Sequence, residues 1–167
     1  MAKVRPEPTE IDYARLAAYI DGEGTIEIAY KHKSRAHFLC VSIDNTDPRL
    51  IVWLYETFGG FVRSDHSSKR KNIKWRSKMQ WYIACGHAHD LLLKCHPFFI
   101  TKGDQADIAI AFRKTVCRVG VKGHPPEVLK LRDQMREDLK TLRHKTYPEN
   151  YLDEIARTSK SPRQVVN

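Results

Sequence analysis

Two blocks of alternating apolar and polar residues, each led by a segment with helix-start chemistry, limit what this chain can become. Over 25–31, Ile26, Ile28 and Tyr30 face one way, and Thr25, Glu27, Ala29 and Lys31 the other. Over 37–44, Leu39, Val41 and Ile43 oppose Phe38, Cys40, Ser42 and Asp44. A second pair follows over 61–64 and 74–85, where Trp75, Ser77, Met79, Trp81 and Ile83 oppose Lys74, Arg76, Lys78, Gln80 and Tyr82. A period of two over such lengths marks half-buried strands. Ahead of the first pair, Thr9 reads as the N-cap of a helix over 10–20, with Asp12 closing a short capping box. The glycines of Asp21-Gly22-Glu23-Gly24 are expected to end it. Ahead of the second pair, Asp47-Pro48 starts a helix that runs to about Phe58 and stops at Gly59-Gly60. Further helices are expected over 88–95, 104–118, 126–142 and, weakly, 150–157. The expected fold class is α+β: an αββαββα core, plus C-terminal helices. Its four-stranded antiparallel sheet has one apolar face covered by helices and one face left open as a saddle.

A length of 167 residues suits one domain, expected over 9–157, with an N-terminal extension over 1–8 and a flexible tail over 158–167. No apolar run approaches the roughly 20 residues of a membrane span, so no membrane partner is expected. Residues 1–9 lack the apolar stretch of a secretion signal, so the chain is expected to be intracellular. Cys40, Cys85, Cys95 and Cys117 form no CxxC unit and are expected to be buried free thiols. His87, His89 and His96 match no zinc spacing. The net charge is +9, which asks for an acidic partner. Arg63, Lys69, Arg70, Lys71, Lys74, Arg76 and Lys78 stand against one acid, Asp65, and are interleaved with Phe61, Trp75, Trp81 and Tyr82. That mixture suits a sheet surface facing a polyanion.

The stretch Leu16-Ala17-Ala18-Tyr19-Ile20-Asp21-Gly22-Glu23-Gly24 resembles the signature of the LAGLIDADG homing endonucleases: apolar, small, small, apolar, apolar, acid, small, acid, glycine. Ile43-Asp44-Asn45, Phe58-Gly59-Gly60, Pro97-Phe98-Phe99, Lys102 and Gln105-Ala106 extend the resemblance over about 11–118. The chain carries one such motif, so it resembles the homodimeric kind. Ala14, Ala17 and Ala18 lie on one side of the first helix. The residues alone leave open whether that side packs inside its own domain or against a second copy. The resemblance implies the second, with Asp21 at the same contact and accepting backbone N–H bonds.

The resemblance implies a site-specific endonuclease, intron-encoded and promoting intron homing, that makes a staggered double-strand cut in a long pseudo-palindromic DNA. Mg²⁺ is the implied cofactor, with Mn²⁺ as a substitute. Glu23 would hold the metal, helped by the Gly22 carbonyl, because a carboxylate at a helix end can set a cation against a phosphate. Two copies of Glu23 in a dimer would repel unless a metal neutralised them. Lys102 matches the family's basic residue, which polarises the phosphate or the solvent network, and Asn45 its water-ordering polar residue. Arg49 lies one turn beyond Asn45 and is expected to reach the same catalytic pocket. Strand alternation then offers a DNA-binding face of Thr25, Glu27, Ala29, Lys31, Lys33, Phe38, Cys40, Ser42, Asp44, Arg63, Asp65, Arg76, Lys78, Gln80 and Tyr82, with Lys69 and Lys71 as phosphate contacts. An intron maturase that binds its own intron RNA, or a DNA-binding regulator that does not cut, are the alternatives.

Overall fold

A computed structural model describes residues 7–32, 36–65, 78–116 and 124–144. Lys33, Lys69, Lys71, Arg76, Cys117, the helix expected over 150–157 and the tail lie outside the described residues. The elements run α1 (Glu10–Glu23), β1 (Gly24–Lys31), β2 (Ala36–Asn45), α2 (Pro48–Phe58), β3 (Phe61–Asp65), β4 (Lys78–Ala84), α3 (Cys85–Cys95), a 3-10 turn (His96–Phe98), α4 (Gly103–Lys114) and α5 (Pro126–Arg143). The fold is α+β, as expected, with one antiparallel sheet ordered β1-β2-β4-β3.

Local chemistry accounts for the helix starts. The Thr9 side chain accepts from the Asp12 N–H while Asp12 accepts from the Thr9 N–H, so two orphan donors are satisfied at once. Asp47 Oδ1 accepts from the Arg49 N–H, with Pro48 at the first helical position. The sheet is built from two hairpins whose second strands meet: β2 pairs with β4 from Cys40↔Ala84 to Asn45↔Met79. Its inner face carries Ile26, Ile28, Leu39, Val41, Ile43, Trp81 and Ile83, all buried against Leu16, Ile20, Ile51, Leu54, Leu92 and Phe112 from the helices. Trp81 is fully buried, and its Nε1 donates to the Gly59 carbonyl at 2.7 Å. Gly60 sits at φ +84, and a Cβ there would meet the Tyr82 carbonyl at 2.6 Å, so this turn admits only glycine. The buried Arg132 of α5 donates to the Thr115 carbonyl and hydroxyl, tying α5 to the end of α4. No helix among the described residues is long and apolar enough to cross a membrane.

Three expectations are corrected. First, α1 does not stop at Ile20. It runs through Gly22 to Glu23, so Glu23 is its last helical residue rather than a residue beyond its end. Gly24 adopts φ −81, ψ 161, which any residue can adopt. Glycine is needed there for space, because a Cβ would lie 2.5 Å from the Ile20 Cα. Second, Ala17 is fully buried in the core of its own domain, whereas Ala18 is exposed and Ala14 half-buried. The core boundary crosses α1 between neighbouring alanines, which removes Ala17 from any outer contact face. Third, Cys85 opens α3 rather than closing β4, and it is exposed at φ 58, not buried. Cys95 is buried, which pushes its thiol pKa up to about 12, and the half-buried Cys40 is pushed up to about 11, also by burial.

Candidate functional site

The last turn of α1 meets the end of β2 and the start of α2 in one linked set of polar groups. Asn45 Nδ2 donates to Glu23 Oε2 at 2.7 Å, while Asn45 Oδ1 accepts from the Asp47 N–H at 2.7 Å. The backbone donor settles which way the amide points, so its NH₂ must face Glu23. Asp47 in turn binds Arg49 through both oxygens, at 3.0 Å to Nε and 2.6 Å to Nη2. These bonds hold the Asp47 carboxyl down at about 2 and raise the Arg49 pKa. Arg15, Tyr19, Asn45, Asp47, Arg49, Leu50 and Trp53 line a groove of about 510 Å³. The sequence reading named Asn45 and Arg49, and both line this groove. It missed Arg15 and Tyr19, which share the groove from the exposed side of α1; the Tyr19 ring lies 6.0 Å from that of Trp53.

Glu23 and Gly22 are both exposed. The Gly22 carbonyl belongs to the last helical turn, where carbonyls lack intrahelical partners. Both groups offer oxygen, the donor that Mg²⁺ prefers. Among the described residues no three His, Cys, Asp or Glu side chains are grouped to hold a metal.

Asp21 and Lys102 do different work from Glu23. Asp21 accepts from the Ile100 N–H at 2.7 Å, the Lys102 N–H at 2.9 Å, and the Thr101 N–H and hydroxyl, which fixes the approach to α4. Lys102 is part-buried, and its ammonium donates to the carbonyls of Ile20 at 2.5 Å and Gly24 at 2.7 Å. Burial lowers its pKa, Asp21 opposes that shift, and Arg143 adds to it. The ammonium thus bridges the last turn of α1 and the first residue of β1, adding positive charge where the helix dipole favours it.

Among the described residues, the open face of the sheet carries Thr25, Glu27, Ala29, Phe38, Cys40, Ser42, Asp44, Arg63, Lys78, Gln80 and Tyr82, all of them half-buried or exposed. The cross-strand rows include Glu27↔Cys40, Ala29↔Phe38, Thr25↔Ser42↔Tyr82↔Phe61 and Asp44↔Gln80↔Arg63. Lys31 closes β1, and Asp65 pairs with Lys78 in register. Lys78 Nζ lies 3.3 Å from Asp44 Oδ2. Asp44, Arg63, Ser64, Lys78 and Gln80 bound a shallow hollow of about 360 Å³. Hydrogen-bond donors and acceptors are thus mixed across this hollow. Phe61, which the alternation also puts on this face, was not among the residues assigned to DNA.

No protein-family model matches the sequence, and no curated protein sequence matches it. Solved structures do. The homing endonuclease I-CvuI, in complex with its target in the presence of Ca, superposes with a TM-score of 0.63 at 15% identity, covering 89% of this chain and 92% of that one. I-CvuI with the I-CreI target in the presence of Mg, its DNA not cleaved, gives 0.60 at 15% identity, covering 89% and 94%. The archaeal intron-encoded homing endonuclease I-Vdi141I, complexed with DNA, gives 0.62 at 15% identity, covering 89% and 94%. The chain has the homing endonuclease fold over most of its length, which is the fold that the signature in α1 implies.

Proposed function

We propose that the chain is a single-motif LAGLIDADG homing endonuclease that acts as a homodimer on duplex DNA. The carrying observation is that Glu23, the last residue of α1, is exposed and held by Asn45 in a fold otherwise seen in DNA-bound homing endonucleases. The exposed stripe of α1, with Ala18, Gly22 and half-buried Ala14, supports a twofold helix contact. Among the described residues, a Cβ on Gly22 would meet nothing within 4 Å, so no neighbour there accounts for a glycine.

Glu23 and the Gly22 carbonyl would hold a divalent cation, with DNA phosphate and the second copy completing the set. Such an ion supplies positive charge at the scissile phosphate and favours ionisation of a nucleophilic water. Asn45 orients the Glu23 carboxylate, in the way that outer hydrogen bonds tune metal ligands. Arg49 and Arg15 line the adjoining groove and give it positive charge for the flanking backbone. Lys102 acts through α1 by fixing the helix end that carries Glu23. Hydrolysis on both strands by the two copies would yield the staggered cut, and an intron-borne gene would be its natural setting.

The test is plasmid cleavage. A plasmid library of randomised sites, incubated with the full chain and Mg²⁺, should yield linear product from a restricted set of near-palindromic sites. Cutting should stop with EDTA and in Glu23→Gln. Specific binding without cleavage under any divalent metal would leave a regulator instead.

A further inference from the structure

One cluster on the open face is built unlike the rest. Phe61 and Tyr82 are register partners whose rings stack with centroids 5.3 Å apart at 24°. Phe61 nevertheless stays 61% exposed. Arg63, two residues along β3, lays its guanidinium 4.6 Å over the same Tyr82 ring and donates from Nη2 to the Tyr82 hydroxyl at 3.2 Å. An arginine that would otherwise sample many rotamers is thus held at two points beside an uncovered apolar ring.

We propose that Phe61, Tyr82 and Arg63 form one reading unit for the major groove of duplex DNA, in which Arg63 takes a guanine and Phe61 takes the methyl group of a nearby thymine. The proposal rests on the endonuclease reading above and goes further, to base identity. After its bond to Tyr82, Arg63 keeps enough N–H donors for a two-pronged contact, and only guanine offers two adjacent acceptors, O6 and N7, in that groove. The thymine methyl is the one apolar group that the groove presents. A free arginine would suit phosphate as well as base, but one pinned by a ring and a hydroxyl is pre-organised for a single direction. Phe61 and Arg63 are two strand residues apart, roughly 6.8 Å, which equals about two base-pair rises. The thymine should therefore lie within about two base pairs of the guanine. Tyr82 is a positioning residue in this unit.

The test starts with the full chain and a randomised duplex library, repeated with Phe61→Ala, Arg63→Ala and Tyr82→Phe. The duplex selected by the unaltered protein is then remade with deoxyuridine for the thymine, or 7-deazaguanine for the guanine. The unaltered protein should enrich a guanine and a thymine at this spacing. Removing the methyl should weaken its binding about fourfold, the worth of one buried methyl, and leave Phe61→Ala unaffected. Removing N7 should weaken it about fivefold or more, and leave Arg63→Ala unaffected. Tyr82→Phe should keep the thymine preference and lose part of the guanine preference, a split that general loss of structure would not produce. The modified-DNA measurements use the unaltered protein, so they decide the matter even if a variant fails to fold. Equal affinity for thymine and uracil, or Arg63→Ala weakening all sequences alike, overturns the proposal. If the unaltered protein enriches no sequence at all, the endonuclease reading falls with it, which separates the two failures.

Discussion

Lys102 and Asp21 are joined across 81 positions of sequence: the Lys102 N–H donates to Asp21 Oδ1 at 2.9 Å. The Lys102 ammonium meanwhile reaches the carbonyls on either side of that aspartate, at Ile20 and Gly24. Each partner supplies the charge that the other's helix end favours. The ammonium sits at the C-terminus of α1, and the carboxylate at the approach to the N-terminus of α4. The signature helix is therefore held at the very turn that carries Glu23.

This relationship makes Lys102 separable from a purely chemical role. Lys102→Met should lower the thermal midpoint, fray the end of α1 and raise the Mg²⁺ concentration needed for cleavage. Circular dichroism and a metal titration of cleavage would check it. A variant with unchanged melting and unchanged metal demand, but no cleavage, would return Lys102 to the phosphate.

Glu23→Gln keeps the hydrogen bond from Asn45 but removes the charge that would hold a cation. Cleavage should fall by more than the roughly 10–100-fold that loss of an outer hydrogen-bond partner costs, with DNA binding retained. Asn45→Ala should fall within that 10–100-fold range, and partly recover at high Mg²⁺. Gel-shift and nicking assays on one DNA preparation would resolve the two variants.

Ala17 and Ala18 give a matched pair one position apart. Ala17→Leu overfills a core position and should destabilise the folded chain by about 1–3 kcal/mol. Ala18→Leu places the same bulk on the exposed stripe. It should leave the chain folded but reduce a dimer to monomers by light scattering, with double-strand cleavage lost. An unaltered dimer in Ala18→Leu would move the contact off α1.

Much of the fold was legible because its determinants are local. The Thr9–Asp12 box and the Asp47 cap depend on groups within three residues of each other, and strand alternation separates Leu39, Val41 and Ile43 from Phe38, Cys40 and Ser42 without knowledge of partners. The site was less legible, because it depends on contacts between distant segments. The helical period puts Ala17 and Ala18 on adjoining arcs, but it does not say where the core ends. Gly24 looks like a helix breaker, while its real constraint is the crowding of Ile20 Cα. The partners of Lys102 lie about 80 residues away, so a single lysine before α4 gave no sign of its task. Alternation alone puts Phe61 on the open face, but only the β3–β4 register sets it against Tyr82.

Asp47 offers a pH test. Its folded pKa, about 2, lies well below the ordinary carboxylate range, chiefly through the side-chain bond from Arg49 and then the Arg49 N–H. A depressed carboxylate pKa gives stability that is present above the unfolded value and lost as pH falls through the folded one. Asp47→Asn keeps a capping oxygen but removes the ionisation. Its melting deficit relative to the parent should be constant near neutrality and shrink between about pH 4 and pH 2. A deficit that stays constant down to pH 2 would show that the Asp47 charge contributes nothing.

The meeting of β2 with β4 leaves every outward residue of the sheet with its backbone fixed and its side chain outside the core. Strand spacing there comes from main-chain hydrogen bonds, at about 4.8 Å from one strand to the next, and owes nothing to what Thr25, Ser42, Tyr82 or Phe61 happen to be. Mutation can rewrite such a row one letter at a time while Trp81, Ile43 and Ile26 on the reverse side keep the sheet together. A lineage carrying this fold is free to drift toward new targets without passing through an unfolded ancestor.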